Sequence, residues 1–146
     1  MPSGVTDAPW QPDTVCFQID EQIRKSANIA ITTHYGMDGD AVGSCVALRE
    51  VLRDAGKRVI MINCTPTPYN YKFIAPDGSF ETELPPDFAP DLFIVLDAAT
   101  PGRIRRENPL PTGIPIVNID HHIGNSLFGA YNWIEPKSPC VGVMLL

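Results

Sequence analysis

The 146-residue sequence has no closely paired cysteines and no long apolar run, and each absence excludes a class of protein. The four cysteines, Cys16, Cys45, Cys64 and Cys140, form no C-x-x-C pair, so neither a structural zinc site nor a disulfide framework is expected. No segment approaches the roughly 20 apolar residues that span a bilayer, and no basic region followed by an apolar stretch resembles a signal peptide. We therefore expect a cytoplasmic protein without a membrane partner.

Positive charge is also scarce. Eleven Lys and Arg stand against 17 Asp and Glu, which gives a formal net charge of −6. Nonspecific binding to duplex nucleic acid needs clustered basic side chains, so a duplex is not an expected partner. A small phosphorylated substrate stays compatible with this charge, because bound divalent cations would add positive charge that the formal count omits.

The apolar residues, 44% of the chain, are sufficient for one domain with one core at this length. The first 13 residues contain three prolines and predict a loosely held arm, and residues 14–146 predict the domain. Apolar spacing predicts helices at 14–26 and 42–56, with a short helix at 104–108. Apolar runs predict strands at 29–33, 58–63, 91–97 and 114–119, and residues 65–90 read mainly as a loop with a short helix or strand at 69–74.

The order of these segments predicts an α/β fold. The first strand, the second helix and the second strand form a βαβ unit, which implies a parallel pair. Residues 91–97 are a continuous apolar run, as expected for a strand that is buried on both faces. We therefore expect a mostly parallel sheet flanked by helices in a three-layer, Rossmann-like arrangement.

Acidic and imidazole side chains follow three of the predicted strands. They are His34, Asp38 and Asp40 after the first strand, Asp97 after the third, and Asp120, His121 and His122 after the fourth. Parallel strands bring their carboxyl ends to one crevice of a sheet, which is where ligands bind in such folds. Together the three groups predict a metal site.

Each residue also has a structural interpretation of its own. Asp40 is a plausible helix N-cap, and Asp38 with Gly39 is a plausible turn. Asp97 could solvate a strand end, and His121 or His122 could be a core histidine with a hydrogen-bond partner. These interpretations weaken when the residues are taken jointly.

The mixture of imidazole and carboxylate donors suits Mn²⁺, with Mg²⁺, Co²⁺ or Fe²⁺ as substitutes. Four carboxylates in one crevice repel each other unless cations neutralise them, and two divalent ions balance four negative charges. An ion pair about 3.5–4 Å apart can activate a water for displacement at phosphorus. Asp97, at the end of the central strand, is the natural bridging carboxylate, and no Ser or Cys is set as a nucleophile.

The motifs themselves resemble a family. The sequence has His34-x-x-x-Asp38-Gly39-Asp40-Ala41-x-Gly43-Ser44, then an apolar strand ending in Asp97, then Asn118-Ile119-Asp120-His121-His122 followed by Asn125. This ordered set resembles the DHH phosphoesterase superfamily, with the strongest likeness to its RecJ-like, NrnA-type branch of short-oligonucleotide and pAp phosphatases. The likeness extends from about Ser26 to the end of the sequence.

The resemblance implies a site with two Mn²⁺ ions. One ion would take His34, Asp38 and Asp97, and the other would take Asp40, Asp97 and His121. Asp120 and His122 would support the ligands or face the substrate, which makes Asp97, His121 and His122 the candidate catalytic residues. The implied activity is hydrolysis of short RNA or DNA oligonucleotides, or of pAp, by a metal-activated water.

The sequence departs from the family in three places. Met37 stands where the family commonly has Pro, and residues 138–143 offer no Glu at the start of the next helix. The family also has a further Asp ligand and a second, C-terminal substrate domain, neither of which this sequence contains. The apolar run at 141–146 would be poorly placed in water, so we expect a truncated chain that associates through this run, with a homodimer as one outcome.

These departures leave alternatives open. The chain by itself is expected to hold one Mn²⁺ firmly and a second weakly, with little turnover. A cyclic-dinucleotide phosphodiesterase and a polyphosphate or pyrophosphate hydrolase of the same superfamily are the nearest alternative enzymes. An inactive, metal-binding remnant of the fold is the alternative without catalysis.

Overall fold

A computed structural model describes residues 14–105 and 110–146 of the protein. The strands are β1 (Asn28–Thr32), β2 (Arg58–Ile62), β3 (Leu92–Leu96), β4 (Ile116–Asp120) and β5 (Tyr131–Ile134), and the helices are α1 (Thr14–Lys25), α2 (Gly39–Asp54) and α3 (Val141–Met144). The five strands form one sheet in the order β2-β1-β3-β4-β5, and every neighbouring pair is parallel. The α/β fold and the adjacency of the four predicted strands are confirmed.

Alternation along the strands builds two separate apolar layers. On one face of the sheet, residues such as Ile31 and Ile94 pack with Ile19 of α1, Cys45 of α2 and Val141 of α3. The opposite face forms a second cluster with apolar residues from the connecting segments. Every residue of β3 is buried, so the central strand has the continuous burial that its sequence predicts.

The connection between β2 and β3 supports the turn that follows β1. A short 3₁₀ helix covers Tyr69–Tyr71. It lies within residues 69–74, for which the sequence predicted either a short helix or a strand. The Tyr71 ring lies against Gly39, whose added Cβ would stand 3.4 Å from it, and Ala75 packs with Met37 and Val42. This packing fixes the start of α2 from outside the sheet.

Several predicted boundaries need correction. Strand β5 was missed, and a short 3₁₀ helix at Pro101–Arg103 precedes the helix expected at 104–108, of which residues 106–108 lie outside the described residues. The predicted arm at 1–13 also lies outside them. The N-cap of α2 is Asp38, whose Oδ1 accepts from the Ala41 amide at 3.0 Å, and not Asp40, for which the sequence left a cap as the structural alternative.

The apolar C-terminal run is only partly exposed. Val141 and Met144 are buried in the core because they lie three residues apart on the inner face of α3, which contacts α2. Val143 and Leu146 are exposed. Part of the run therefore packs inside the domain, and association through the rest stays a prediction.

None of the helices in the described ranges has both the length and the apolar character that crossing a bilayer requires.

Candidate metal centre

The carboxyl ends of β1, β3 and β4 lie side by side, because β3 pairs with both of the others. The structure therefore brings all the candidate residues from the three motifs to one end of the sheet. These residues are His34, Asp38, Asp40, Asp97, Asp120, His121 and His122. The exposure of these side chains differs widely, from 63% at Asp38 to 2% at Asp97.

Asp97 is buried directly after the last residue of β3. Its backbone has φ 56°, in the left-handed region that few non-glycine residues adopt. Its Oδ1 atom is buried and has no hydrogen-bond partner among the described residues. A buried carboxylate oxygen without a donor is costly, and strained residues of this kind concentrate at functional sites. Both features favour a cation bound to this oxygen in the functional protein.

His34, Asp38 and Asp97 form one half of the centre. The Nε2 atom of His34 lies 3.7 Å from Asp38 Oδ1 and 3.6 Å from Asp97 Oδ2. The Nδ1 atom lies 2.9 Å from the Tyr35 carbonyl oxygen, which can only accept, so Nδ1 carries the proton and donates it. This tautomer leaves the Nε2 lone pair directed at the two carboxylates, ready for a metal ion.

His121 lies near Asp97 and Asp40, the residues that the sequence assigns to the second ion. The Nε2 atom of His121 lies 3.4 Å from Asp97 Oδ1 and 3.7 Å from Asp40 Oδ2. Its Nδ1 donates to the Ser138 carbonyl oxygen at 3.1 Å, which again leaves Nε2 free to bind an ion. The two oxygens of Asp97 thus face different histidines, as a bridging carboxylate requires.

His122 lies close enough to Asp97 and His121 for these three residues to form one of two possible metal-ligand groups among the described residues, the other being His34, Asp38 and Asp97. However, its Nδ1 atom lies 3.7 Å from Asp97 Oδ1 and only 2.6 Å from Asp120 Oδ1, so it donates to Asp120. Asp120 is fully buried, and its other oxygen accepts from Asn125 at 2.7 Å. We therefore interpret His122 as a side chain that Asp120 holds in place through Nδ1. Its Nδ1 is not a metal ligand, and its Nε2 is available for another contact. At 50% exposed it is also not a core histidine.

Asp40 has partners that the sequence did not reveal. Its Oδ2 accepts from the Val141 amide at 2.8 Å, and its Oδ1 accepts from the Gly142 amide at 3.0 Å and from the Ser44 hydroxyl at 2.9 Å. Ser44 could have been found, because residues four apart meet on one helix face. The two amides lie about a hundred positions away in sequence, and no local signal marks them.

Charge in the cleft perturbs two titratable groups. The nearby Asp97 carboxylate raises the pKa of His34 above its usual 6.5, although burial opposes the shift. Burial raises the pKa of the Cys45 thiol strongly, and the Asp97 and Asp40 carboxylates raise it further. Cys45 is therefore held as a neutral thiol, which agrees with the absence of a predicted Cys nucleophile.

The donor set fits a divalent metal. Carboxylate oxygens and imidazole nitrogens from three strand ends converge, with no cysteine thiolate among the ligand candidates. The orphaned Asp97 Oδ1 supplies an independent reason for a cation at this position. The fold and the site thus define an α/β protein with a candidate metal site at the carboxyl edge of a parallel sheet.

Comparisons with known proteins agree with this class. The sequence model of the DHH family, N-terminal domain, matches residues 28–144, and the chain belongs to this family. Over 124 residues it is 29% identical to the bifunctional oligoribonuclease and PAP phosphatase NrnA of Thermus thermophilus. The crystal structure of an exopolyphosphatase-related protein from Bacteroides fragilis superimposes with a TM-score of 0.79 at 20% identity, which supports the fold.

The chain is short beside these proteins. The match with the Thermus protein covers 80% of this chain and 35% of the relative, and the structural match covers 90% of this chain and 41% of the other. The similarity is therefore a similarity to one part of each longer protein.

Proposed function

We propose that the protein is a Mn²⁺-dependent phosphoesterase that hydrolyses short oligonucleotides, pAp, or both. Membership of the DHH family supports the reaction class. The Thermus thermophilus relative is a bifunctional oligoribonuclease and PAP phosphatase, which supports this choice of substrates. Both substrates carry a phosphoester next to a nucleoside, so a single centre can serve them.

One observation carries the proposal more than any other. Asp97 is a buried carboxylate with one orphaned oxygen, and each of its two oxygens faces a different histidine. A single structural ion would need only one of these groups. A carboxylate that faces two donor sets is instead the arrangement expected when two ions share a ligand.

We assign His34, Asp38 and Asp97 to one ion and Asp40, Asp97 and His121 to the other. When bound, such an ion pair lowers the pKa of a water and balances charge on the phosphoryl oxygens. The chain's own part is to fix the donors before substrate arrives. Asp97 does so through burial, and the histidines do so through Nδ1 bonds to the Tyr35 and Ser138 carbonyls.

His122 is proposed to contact the substrate phosphate. Its Nδ1 is held at 2.6 Å by Asp120, while the ring is half exposed, so Nε2 is available to a ligand in the cleft. Asn125 donates to both Asp120 and Asn118, which fixes the carboxylate that orients the ring. This chain of bonds gives His122 one orientation at the rim of the site.

The experiment measures single-turnover hydrolysis with protein in excess over labelled substrate, so that even a slow chemical step is visible. The substrates are a dinucleotide, pAp, a cyclic dinucleotide and a short polyphosphate, each with Mn²⁺ and with a chelator. We expect Mn²⁺-dependent cleavage of the dinucleotide or pAp. We also expect a loss of at least about 100-fold in Asp97→Asn, because this change removes charge from both halves of the centre.

The matched control is Asp87→Asn, which removes an exposed carboxylate outside the centre and should leave the rate unchanged. Cleavage of only the cyclic dinucleotide or the polyphosphate would instead support a cyclic-dinucleotide phosphodiesterase or a polyphosphate hydrolase. Binding of Mn²⁺ without cleavage of any of the four substrates would support the inactive remnant and contradict the proposal.

A further inference from the structure

We infer that residues 138–142, named here the 138–142 segment, are a positioning device for one half of the metal centre. The segment follows β5 and leads into α3. Its main-chain groups bind both residues that belong to the second half alone, Asp40 and His121. The inference rests on the proposed two-ion site, and adds that one half of it depends on a stretch of chain that contributes no ligand.

The contact with Asp40 involves both carboxylate oxygens. The Val141 and Gly142 amides are the first two of α3, and such amides have no partner within their own helix. Asp40 supplies that partner, with distances of 2.8 and 3.0 Å. The carboxylate is therefore held from two directions, with the Ser44 hydroxyl as a third donor. Oδ1 accepts two of these bonds and Oδ2 accepts one, so Oδ2, which lies 3.7 Å from His121 Nε2, keeps a lone pair for an ion.

The contact with His121 sets its tautomer. Nδ1 donates to the Ser138 carbonyl oxygen, and Nε2 is left unprotonated toward Asp97 and Asp40. The Ser138 hydroxyl in turn donates to the Cys140 carbonyl at 2.8 Å, which braces the segment itself. One short piece of main chain thus donates to one candidate ligand and accepts from the other.

The first half has no comparable dependence on the segment. His34 donates to the adjacent Tyr35 carbonyl, and Asp38 accepts from Ala41 in the first turn of α2. Both partners lie within a few residues of the ligand that they hold. Displacement of the 138–142 segment should therefore weaken the second half selectively.

Coupling of this kind works in both directions. If docking of α3 strengthens the second ion's binding, then the second ion must strengthen the docking of α3 by the same factor. Val141 and Met144 give the docked helix its buried contacts. Whatever pulls α3 away would also release Asp40, so the position of this helix regulates occupancy of the second half.

The first experiment compares Gly142→Pro with Gly142→Ala. Proline removes the amide that donates to Asp40 Oδ1, while alanine keeps it and has room, since its Cβ would meet nothing closer than 3.6 Å. Mn²⁺ is titrated by calorimetry and by electron paramagnetic resonance, which separates free from bound ion. We expect the second ion to bind about 10- to 100-fold more weakly in the proline variant, with the first unchanged, while the alanine variant resembles wild type.

Ser44→Ala is the second variant, in case proline unfolds α3. It removes one donor to Asp40 within α2, where alanine is a good helix former, and we expect the same selective weakening of the second ion. A metal-free readout is amide hydrogen exchange in Asp40→Ala. The Val141 and Gly142 amides should lose the protection that they have in wild type, while the buried amides of β3 keep theirs.

Equal second-ion affinity in Gly142→Pro and Gly142→Ala would overturn the inference, as would unchanged protection of the two amides in Asp40→Ala. Equal weakening of both ions would also overturn it, because that is the signature of a general loss of structure. If wild type binds one ion only, the inference falls with the two-ion assignment. Mn²⁺-dependent cleavage of pAp in that case would leave the phosphoesterase proposal standing, so the two failures are distinguishable.

Discussion

Asp97 combines three features that are unfavourable in an ordinary strand end. It is buried, it has a left-handed backbone, and one of its oxygens lacks a donor within residues 14–105 and 110–146. An unsatisfied buried polar group costs about 1–3 kcal/mol, and a strained backbone position costs a similar amount. A structural aspartate would gain nothing in return for these costs. If Asp97 is a ligand shared by two ions, binding of the ions would offset these free-energy costs.

Removal of Asp97 should affect metal binding more than removal of Asp38. Asp97→Ala takes a ligand from both ions, whereas Asp38→Ala takes one from the first half and also a helix cap. In a calorimetric Mn²⁺ titration we expect both binding steps to weaken in Asp97→Ala and only one in Asp38→Ala. The same stoichiometry and affinities in the two variants would remove Asp97 from the bridging position.

The pH dependence of the first half follows from His34. Its pKa is raised above 6.5 by Asp97, so a proton occupies Nε2 up to a higher pH than in an ordinary histidine. A proton and a metal ion compete for this atom, and the affinity for the first ion should fall as the pH decreases through the raised pKa. The stability of the metal-free fold depends on pH in the opposite direction. The protonated His34 beside Asp97 stabilises the fold below pH 6.5, and this stabilisation is lost as the pH rises through the folded-state pKa.

Nuclear magnetic resonance of the histidine rings measures this directly. The His34 signals, assigned with His34→Gln, should titrate above 6.5 in the metal-free protein and at a lower pH after diamagnetic Mg²⁺ is added. A titration of His34 that is the same with and without Mg²⁺ would contradict its role as a ligand.

Among the elements, β3 determines the stability of the site as well as its position. It pairs with β1 and β4, all five of its residues are buried, and its last peptide leads directly into Asp97. Ile94→Ala should therefore lower the free energy of unfolding by about 2–5 kcal/mol in a urea titration of the metal-free protein. Val51→Ala, at a 64% exposed position of α2, is the control and should change it by less than about 0.5 kcal/mol. Equal effects would show that β3 is not the centre of the core.

The elements show which sequence signals were sufficient. The strands with continuous apolar runs and the helices with clear spacing were predicted to within a few residues. Strand β5 was missed because Tyr131–Ile134 is short and none of its residues is buried, so it shows neither a buried run nor clear alternation. The partial burial of the run at 141–146 was not predicted because only the tertiary structure shows that α2 covers Val141 and Met144.

The side chains of the candidate site could be predicted from the sequence. The three motifs supplied every candidate residue, because parallel strands necessarily gather their carboxyl ends at one edge. The supporting bonds were not predictable, since most of them use main-chain groups that any residue type carries. The Ser138 carbonyl and the Val141 and Gly142 amides are of this kind.

At the scale of the whole molecule, the described residues form one sheet with one candidate metal-binding edge. The chain spans 35% of the length of its Thermus relative, so the substrates and partners of that longer protein are proposals here. A homodimer and a cytoplasmic location stay predictions from the sequence. Among the residues of the apolar C-terminal run, Val143 and Leu146 are the ones left exposed for association.

The central claim is that Asp97 bridges two ions, and anomalous diffraction from Mn²⁺-soaked crystals tests it most directly. The account predicts two manganese peaks about 3.5–4 Å apart. One should lie beside His34 and Asp38, the other beside Asp40 and His121, and each should contact one oxygen of Asp97. A single peak, or peaks that do not contact Asp97 at saturating Mn²⁺, would contradict the account.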